Sequence, residues 1–303
     1  MQTILGANGI IADELVKELN KNFTTNIRLV SRKPVKVTDS DSLLAANLLD
    51  KKSTEVAVKG SEIAYLTVGL PMNTDVWVEQ YPIIIRNVLD ACIKYDVKLV
   101  YFDNTYMYPQ NSLPLTEETE FAPVGKKGEV RAEITNMLLY EMESKNIDAV
   151  ICRAPEFYGP GKTKSITNGL IFENIRHDKK LKVLLRDDTL RTLIWTPDAG
   201  KATALIGNSP EAYGETWHLP CDDSRLTYKQ FIEKASKLIG NDLKYEVVNK
   251  FEVINEELIE LLPRYEHDNI FNSSKFKRWF PEFKTTSYTE GIEQIIRKRN
   301  TII

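Results

Sequence analysis

Residues 3–19, TILGANGIIADELVKEL, constrain the fold more than any other stretch. A short apolar run is followed by small residues at Gly6, Gly9 and Ala12, and then by a helical stripe of Ile11, Leu15 and Leu19. Such a segment reads as strand, tight turn and amphipathic helix. Gly6 can make the sharp turn, Gly9 lets a backbone approach a diphosphate, and Ala12 permits close helix packing. The free amides and dipole at the helix start favour that anion. Three small residues alone would say little, but placed between a first strand and a helix they point to dinucleotide binding.

The same rhythm repeats downstream. IRLVSR, EIAYLTV, DVKLVYFD and IDAVICR are apolar on consecutive positions, as strands covered on both faces should be. Between them lie a helix carrying Trp77, Tyr81, Ile84, Val88 and Cys92, and another over residues 129–145. The alternation predicts an α/β fold: a Rossmann-type, doubly wound parallel sheet. The second half changes character. Residues 164–180 read as one helix, LKVLL, TLIWT and WHLP as short strands, and Thr227 with Gln230 as a capping box opening a helix. A strand around residues 245–248 and a helix over 288–298 complete the pattern. The expected division is a dinucleotide-binding core over residues 1–156 and a small C-terminal substrate-binding cap over 157–303, with segments near 181–220 returning to the core.

Composition narrows the function. At 42% hydrophobic and 27% charged residues, the chain has the make-up of a soluble globular protein. A net charge of −3 and the lack of a basic stripe argue against nucleic acid as partner. Three scattered cysteines, Cys92, Cys152 and Cys221, offer no metal or redox pair, so no metal is expected. No apolar run is long enough to span a bilayer. The chain opens almost directly on a strand, which predicts neither a signal peptide nor a presequence and places it in the cytoplasm. The expected partner is a small-molecule substrate. A homodimer through the long helices is an open possibility.

At the end of the second strand stand Ser31, Arg32 and Lys33, where an NAD site commonly carries an acid. A guanidinium can pair with a 2′-phosphate. The expected cofactor is therefore NADP(H), with NAD(H) the alternative and a solvated basic turn the plainer account of the same residues.

Four segments in order carry a family resemblance: GANGIIA, YFDNTYMYP at 101–109, RAPEFYGPG at 153–161, and RTLIWTPD at 191–198. With them the chain resembles the extended or atypical short-chain dehydrogenase/reductases of the NAD-dependent epimerase/dehydratase family. The resemblance implies cofactor contacts from Gly6, Asn8, Gly9, Ile10, Arg32, Leu48 and Val68, and substrate contacts from Tyr158 and Arg191. It also implies a Tyr-x-x-x-Lys pair, which this chain lacks. In FAPVGKKGEVRAE, residues 121–133, Gly125 and Glu129 occupy those positions. A glycine transfers no proton, and a glutamate would not lower a phenol's pKa. Substitutes are at hand. Asn104, or Thr105 after a one-residue shift, stands near the usual Ser/Thr. Tyr106 lies at a strand's carboxyl end, and Lys126, Lys127 or Arg131 could supply positive charge. Glu156 is a candidate proton-transfer group. The candidate catalytic set is thus Asn104, Thr105, Tyr106, Lys127 and Glu156. Two functions follow: an NADP(H)-dependent oxidoreductase-like enzyme with an atypical site acting on a small polar carbonyl or hydroxyl compound, or a non-catalytic NADP(H)-binding regulator or redox sensor.

Overall fold

The computed structural model describes residues 1–161, 163–253 and 255–299, which form two compact units. Unit 1 comprises residues 1–109, 120–154 and 199–219; unit 2 comprises the described residues of 110–119, 155–198 and 220–299. Of the stretch near 181–220, residues 199–219 therefore lie in unit 1, whereas 181–198 stay in unit 2.

Unit 1 is built on seven parallel strands. In chain order they begin with β1 (Gln2–Leu5), β2 (Ile27–Ser31), β3 (Ser42–Ala45), β4 (Ile63–Leu66), β5 (Lys98–Asp103) and β6 (Ala149–Arg153). The seventh, Thr216–His218, lies beside β6. The order across the sheet is seventh, β6, β5, β4, β1, β2, β3. Register follows the apolar runs: Leu5 pairs with Val30 and Leu66, Leu66 with Tyr101, and Asp103 with Arg153. This is the doubly wound parallel sheet that the sequence predicts. The carboxyl ends of β1, β4 and β5 come together at one edge, where open sheets of this kind hold ligands.

Four helices connect the first six strands: α1 (Ile10–Asn22), α2 (Lys51–Val58), α3 (Thr74–Tyr95) and α4 (Gly125–Glu143). Helix α3 starts at Asn73, whose side chain accepts the Val76 amide, and ends at Asp96 in the left-handed region. It buries Trp77, Tyr81, Ile84, Ile85, Val88, Leu89 and Cys92, the stripe visible in the sequence. These pack with Leu99 and Tyr101 of β5 and with Val130, Ile134 and Leu138 of α4 in one core cluster. Each fully buried leucine or isoleucine there contributes about 1.5–3 kcal/mol.

Unit 2 has its own core of Tyr158, Phe172, Trp195, Phe231, Tyr288 and Ile292 with their neighbours. Its strands are short pairs, such as Leu181–Leu184 with Tyr245–Val248, rather than one sheet. The predicted capping box is present: Thr227 accepts the Gln230 amide and opens the helix Tyr228–Ile239. The single helix expected over 164–180 is instead a π turn, Asn168–Phe172, followed by Glu173–Arg176. Buried Asn168 uses its side-chain oxygen on the Gly159 amide, a tertiary bond that sequence periodicity does not reveal. Among the described residues no helix is long and apolar enough to cross a membrane, and no cluster of potential metal ligands occurs. The three cysteines are buried thiols outside any disulfide.

Candidate active site

The glycine turn is formed by main-chain crowding. Gly6 has φ +108°, and a Cβ there would lie 2.7–2.9 Å from the backbone of Thr67 and Val68. Gly9 caps α1 without a side chain, so the first amides of the helix face outward unblocked. Asn8, with φ 75°, spends its side chain elsewhere. Its Nδ2 donates to the Lys33 carbonyl at 2.7 Å, and its Oδ1 accepts the Val35 amide at 3.0 Å. The turn after β2 is thereby tied to the glycine turn. Arg32 is exposed on it. Leu48 is buried and gives its carbonyl to Asn87 and Thr54, while Val68 is half-buried beside Gly6.

A second group lies where β5 ends. Asn104 caps its own loop, accepting the Tyr106 amide at 3.0 Å. Thr105 is buried and its carbonyl accepts the Tyr108 amide. Tyr106 is half-buried and stacks on Trp77, with centroids 5.7 Å apart and planes 17° apart. Helix α4 comes so close that a Cβ on Gly128 would sit 2.8 Å from the Tyr106 carbonyl. Lys127, one residue earlier, is 1% exposed, and its ammonium donates to the Thr74 hydroxyl at the start of α3. The structure thus brings Asn104, Thr105, Tyr106 and Lys127 together within unit 1.

Beneath them runs a buried charge network that no local sequence pattern reveals. Asp103 is 1% exposed and pairs with Arg153 at 3.2 Å and with Arg131 at 3.6 Å. It also accepts the Thr135 hydroxyl and the Asn104 amide. Arg153 donates to Tyr108 at 2.6 Å, and that phenol meets His218 at 2.7 Å. Arg131 donates to Tyr101 at 2.7 Å and to Tyr81 at 3.2 Å, and lies over the rings of Trp77 and Tyr81. Burial works against both guanidiniums. For Arg131 the phenols of Tyr101 and Tyr81 together with Asp103 outweigh it, and for Arg153 Asp103 and Tyr108 do, so both are held firmly charged. Burial pushes the Tyr101 phenol well above its usual range.

The remaining candidates belong to unit 2 and are used differently. Glu156 accepts the Thr167 amide at 2.8 Å, the Ser165 hydroxyl at 3.1 Å and the Tyr265 phenol at 3.2 Å. Arg191 lies 3.7 Å from it, buried, donating to the carbonyls of Arg264 and His267 and stacked over Tyr228 and Tyr265. Tyr158 is buried among Phe172, Trp195 and Tyr288. Neither Tyr158 nor Arg191 has exposed surface with which to meet a substrate in this arrangement.

A parallel sheet with a glycine turn at its first crossover and polar groups at its carboxyl edge defines a dinucleotide-binding protein of the Rossmann class. The model of the NAD dependent epimerase/dehydratase family matches residues 3–219, and the chain belongs to that family. No curated protein matches by sequence. Among solved structures, the UDP-glucuronic acid 4-epimerase of Bacillus cereus in complex with NAD is similar, with 15% identity and a TM-score of 0.82, covering 100% of this chain and 99% of that one. The dTDP-glucose 4,6-dehydratase of Streptomyces venezuelae, with NAD bound, gives 15% and 0.82, covering 99% and 97%. A UDP-N-acetylglucosamine 4-epimerase of Methanobrevibacter ruminantium gives 14% and 0.80, covering 100% and 98%.

These findings correct the expected NADP(H) preference. The relatives solved with a nicotinamide cofactor hold NAD, and they are named for nucleotide-sugar substrates. An NADP(H)-dependent enzyme acting on a small polar carbonyl or hydroxyl compound, and an NADP(H)-binding regulator, both fall with it. The physical reason lies in the turn after β2. Its ordered contacts use Ser31, Asn8 and the main chain, while the Arg32 guanidinium stands exposed. A solvated cation on a turn is the commonest fate of such a residue and does not by itself build a phosphate site.

Proposed function

We propose that the chain binds NAD(H) on unit 1 and uses it in epimerase/dehydratase-type oxidoreduction of a sugar nucleotide. The observation that carries this reading is the glycine turn, with positive φ at Gly6, no room for a Cβ, and the uncapped start of α1. Those free amides suit the cofactor's diphosphate. Gly6, Gly9 and Ile10 would hold it, with Val68 flanking the turn. NAD, when bound, supplies hydride transfer to and from a substrate carbon. The chain's own part is to orient the substrate and to move a proton. Asn104, Thr105, Tyr106 and Lys127 at the end of β5 are the proposed groups for this work, and Lys127 brings a buried positive charge next to α3. Glu156 has three hydrogen-bond donors on its carboxylate, which supports a structural role for it.

The test is titration of the protein with NADH, followed by the nicotinamide fluorescence. Gly6→Ala should weaken binding about tenfold or more, because φ +108° is strained for alanine. UDP-glucose and UDP-glucuronic acid are then incubated with the NAD-loaded protein and followed by proton NMR. Binding of NADH without conversion of either would remove the sugar-nucleotide reading. Absence of NADH binding would remove the whole reading.

A further inference from the structure

Asn8 stands among the residues expected to touch the cofactor, yet both ends of its carboxamide are committed to another part of the chain. Its Nδ2 donates to the Lys33 carbonyl at 2.7 Å and lies 3.4 Å from the Ser31 hydroxyl, while its Oδ1 accepts the Val35 amide at 3.0 Å. One planar group thus grips the main chain on either side of Pro34, much as a neighbouring strand would. The residue type meets two demands at once. Asn8 holds φ 75°, a region that asparagine and glycine enter most readily, and of those two only asparagine brings a donor and an acceptor.

The gripped segment has little else to hold it. The Lys33 amide turns back on the Ser31 hydroxyl at 3.3 Å, and the Lys36 ammonium reaches the Asp39 carbonyl within the same loop. Further along, buried Asp41 takes the amides of Val37 and Thr38, and Asn20 of α1 donates to Ser40 at 2.7 Å. Among the described residues, the Asn8 carboxamide makes the only hydrogen bonds that join residues 32–36 to a segment outside residues 31–41.

That segment lies where the adenosine half of a dinucleotide belongs. Sites of this class meet the adenosine ribose at the end of the second strand, about 20 residues past the glycine turn, through an acidic side chain. Here β2 ends at Ser31 and Arg32 follows, so no carboxylate stands there to fix the ribose and the path of the main chain carries the fit. We propose that Asn8 is a positioning residue of the cofactor site. It does not touch the dinucleotide but holds the turn after β2 against the glycine turn, which keeps that turn in place for the adenosine half. The inference rests on the NAD(H) reading above.

The experiment uses Asn8→Gly in the full chain, a substitution that keeps the left-handed turn and removes only the carboxamide. NADH is titrated by nicotinamide fluorescence, and ADP-ribose, which carries the adenosine half without nicotinamide, by calorimetry. Loss of the two hydrogen bonds should weaken both ligands by the same factor, about five- to tenfold. In parallel, hydrogen exchange of the Val35 amide is read by NMR in the nitrogen-15-labelled parent and variant. It should be slow in the parent with and without NADH, and about tenfold faster or more in Asn8→Gly. If Asn8→Gly binds NADH as tightly as the parent, or if NADH weakens while ADP-ribose does not, the assignment is overturned and the cofactor reading stands. If NADH speeds Val35 exchange in the parent, Asn8 has left the turn for the cofactor and is a contact, which overturns the assignment as well. If NADH does not bind the parent, both readings fall. The parent's Val35 exchange is read without any substitution, so an Asn8→Gly protein that folds poorly does not remove the test.

Discussion

Each unit buries an arginine against two aromatic rings and close to a carboxylate, but the partners differ. In unit 1, Arg131 stacks on Trp77 and Tyr81 and is held by side chains: two phenols and Asp103. In unit 2, Arg191 stacks on Tyr228 and Tyr265 and is held by two main-chain carbonyls, with Glu156 at 3.7 Å. A cation held by carbonyls fixes the path of a loop. A cation held by phenols and a shared aspartate instead ties together side chains of α3, α4 and β5. The same residue type therefore anchors main chain in one unit and links side chains of separate elements in the other.

The sharpest way to break this comparison is to remove one partner of each buried pair. Asp103→Asn leaves two buried guanidiniums without a counter-charge, and urea denaturation should show a loss of about 3–5 kcal/mol. A loss below 1 kcal/mol would mean that water reaches the network and that its surplus charge is not a buried one. Next in size, Arg191→Met frees the carbonyls of Arg264 and His267 and should cost about 2 kcal/mol. If it also altered NADH binding, the purely structural account of Arg191 would be wrong.

What the sequence shows of this contrast follows from how local each signal is. The glycine turn, the buried stripe of α3 and the Thr227 capping box are written within a few residues, and each appears in the structure. Edge strand β3 and the short helix α2 escape notice because β3 is largely exposed and α2 buries a single flank, Thr54, Ala57 and Val58. At the site, Lys127 stands out as a charge beside Gly128, but Tyr81 reads as one more apolar position in a helix. Its bonds to Arg131, 50 residues away in the chain, and to the Leu70 amide carry no local mark. Asp103 likewise ends an apolar strand with no hint that Arg131 and Arg153 will converge on it. Arg32 shows the reverse case: the local signal suggests a phosphate site, but the turn's contacts are made by other groups.

Two smaller substitutions separate burial from location. Glu156→Gln keeps an acceptor for the Thr167 amide and loosens a 3.7 Å pair, so it should cost less than about 1 kcal/mol. Glu141 lies in unit 1 with Asp103 but at the far end of α4, paired with a partly exposed Arg86 at 2.9 Å. The Asn146 side chain first, and then Arg86, hold its carboxyl below the usual range. A carboxyl depressed in the folded state stabilises above its unfolded pKa, about 4.3. That contribution disappears as pH falls through the lower folded value. Glu141→Gln should therefore cost under about 1 kcal/mol at neutral pH, and the difference from the parent should close in urea titrations taken well below pH 4. An effect as large as that of Asp103→Asn would show that unit 1 tolerates carboxylate loss poorly wherever it occurs. The contrast would then lie between units, and not between a carboxylate shared by two buried guanidiniums and one paired with a partly exposed Arg86.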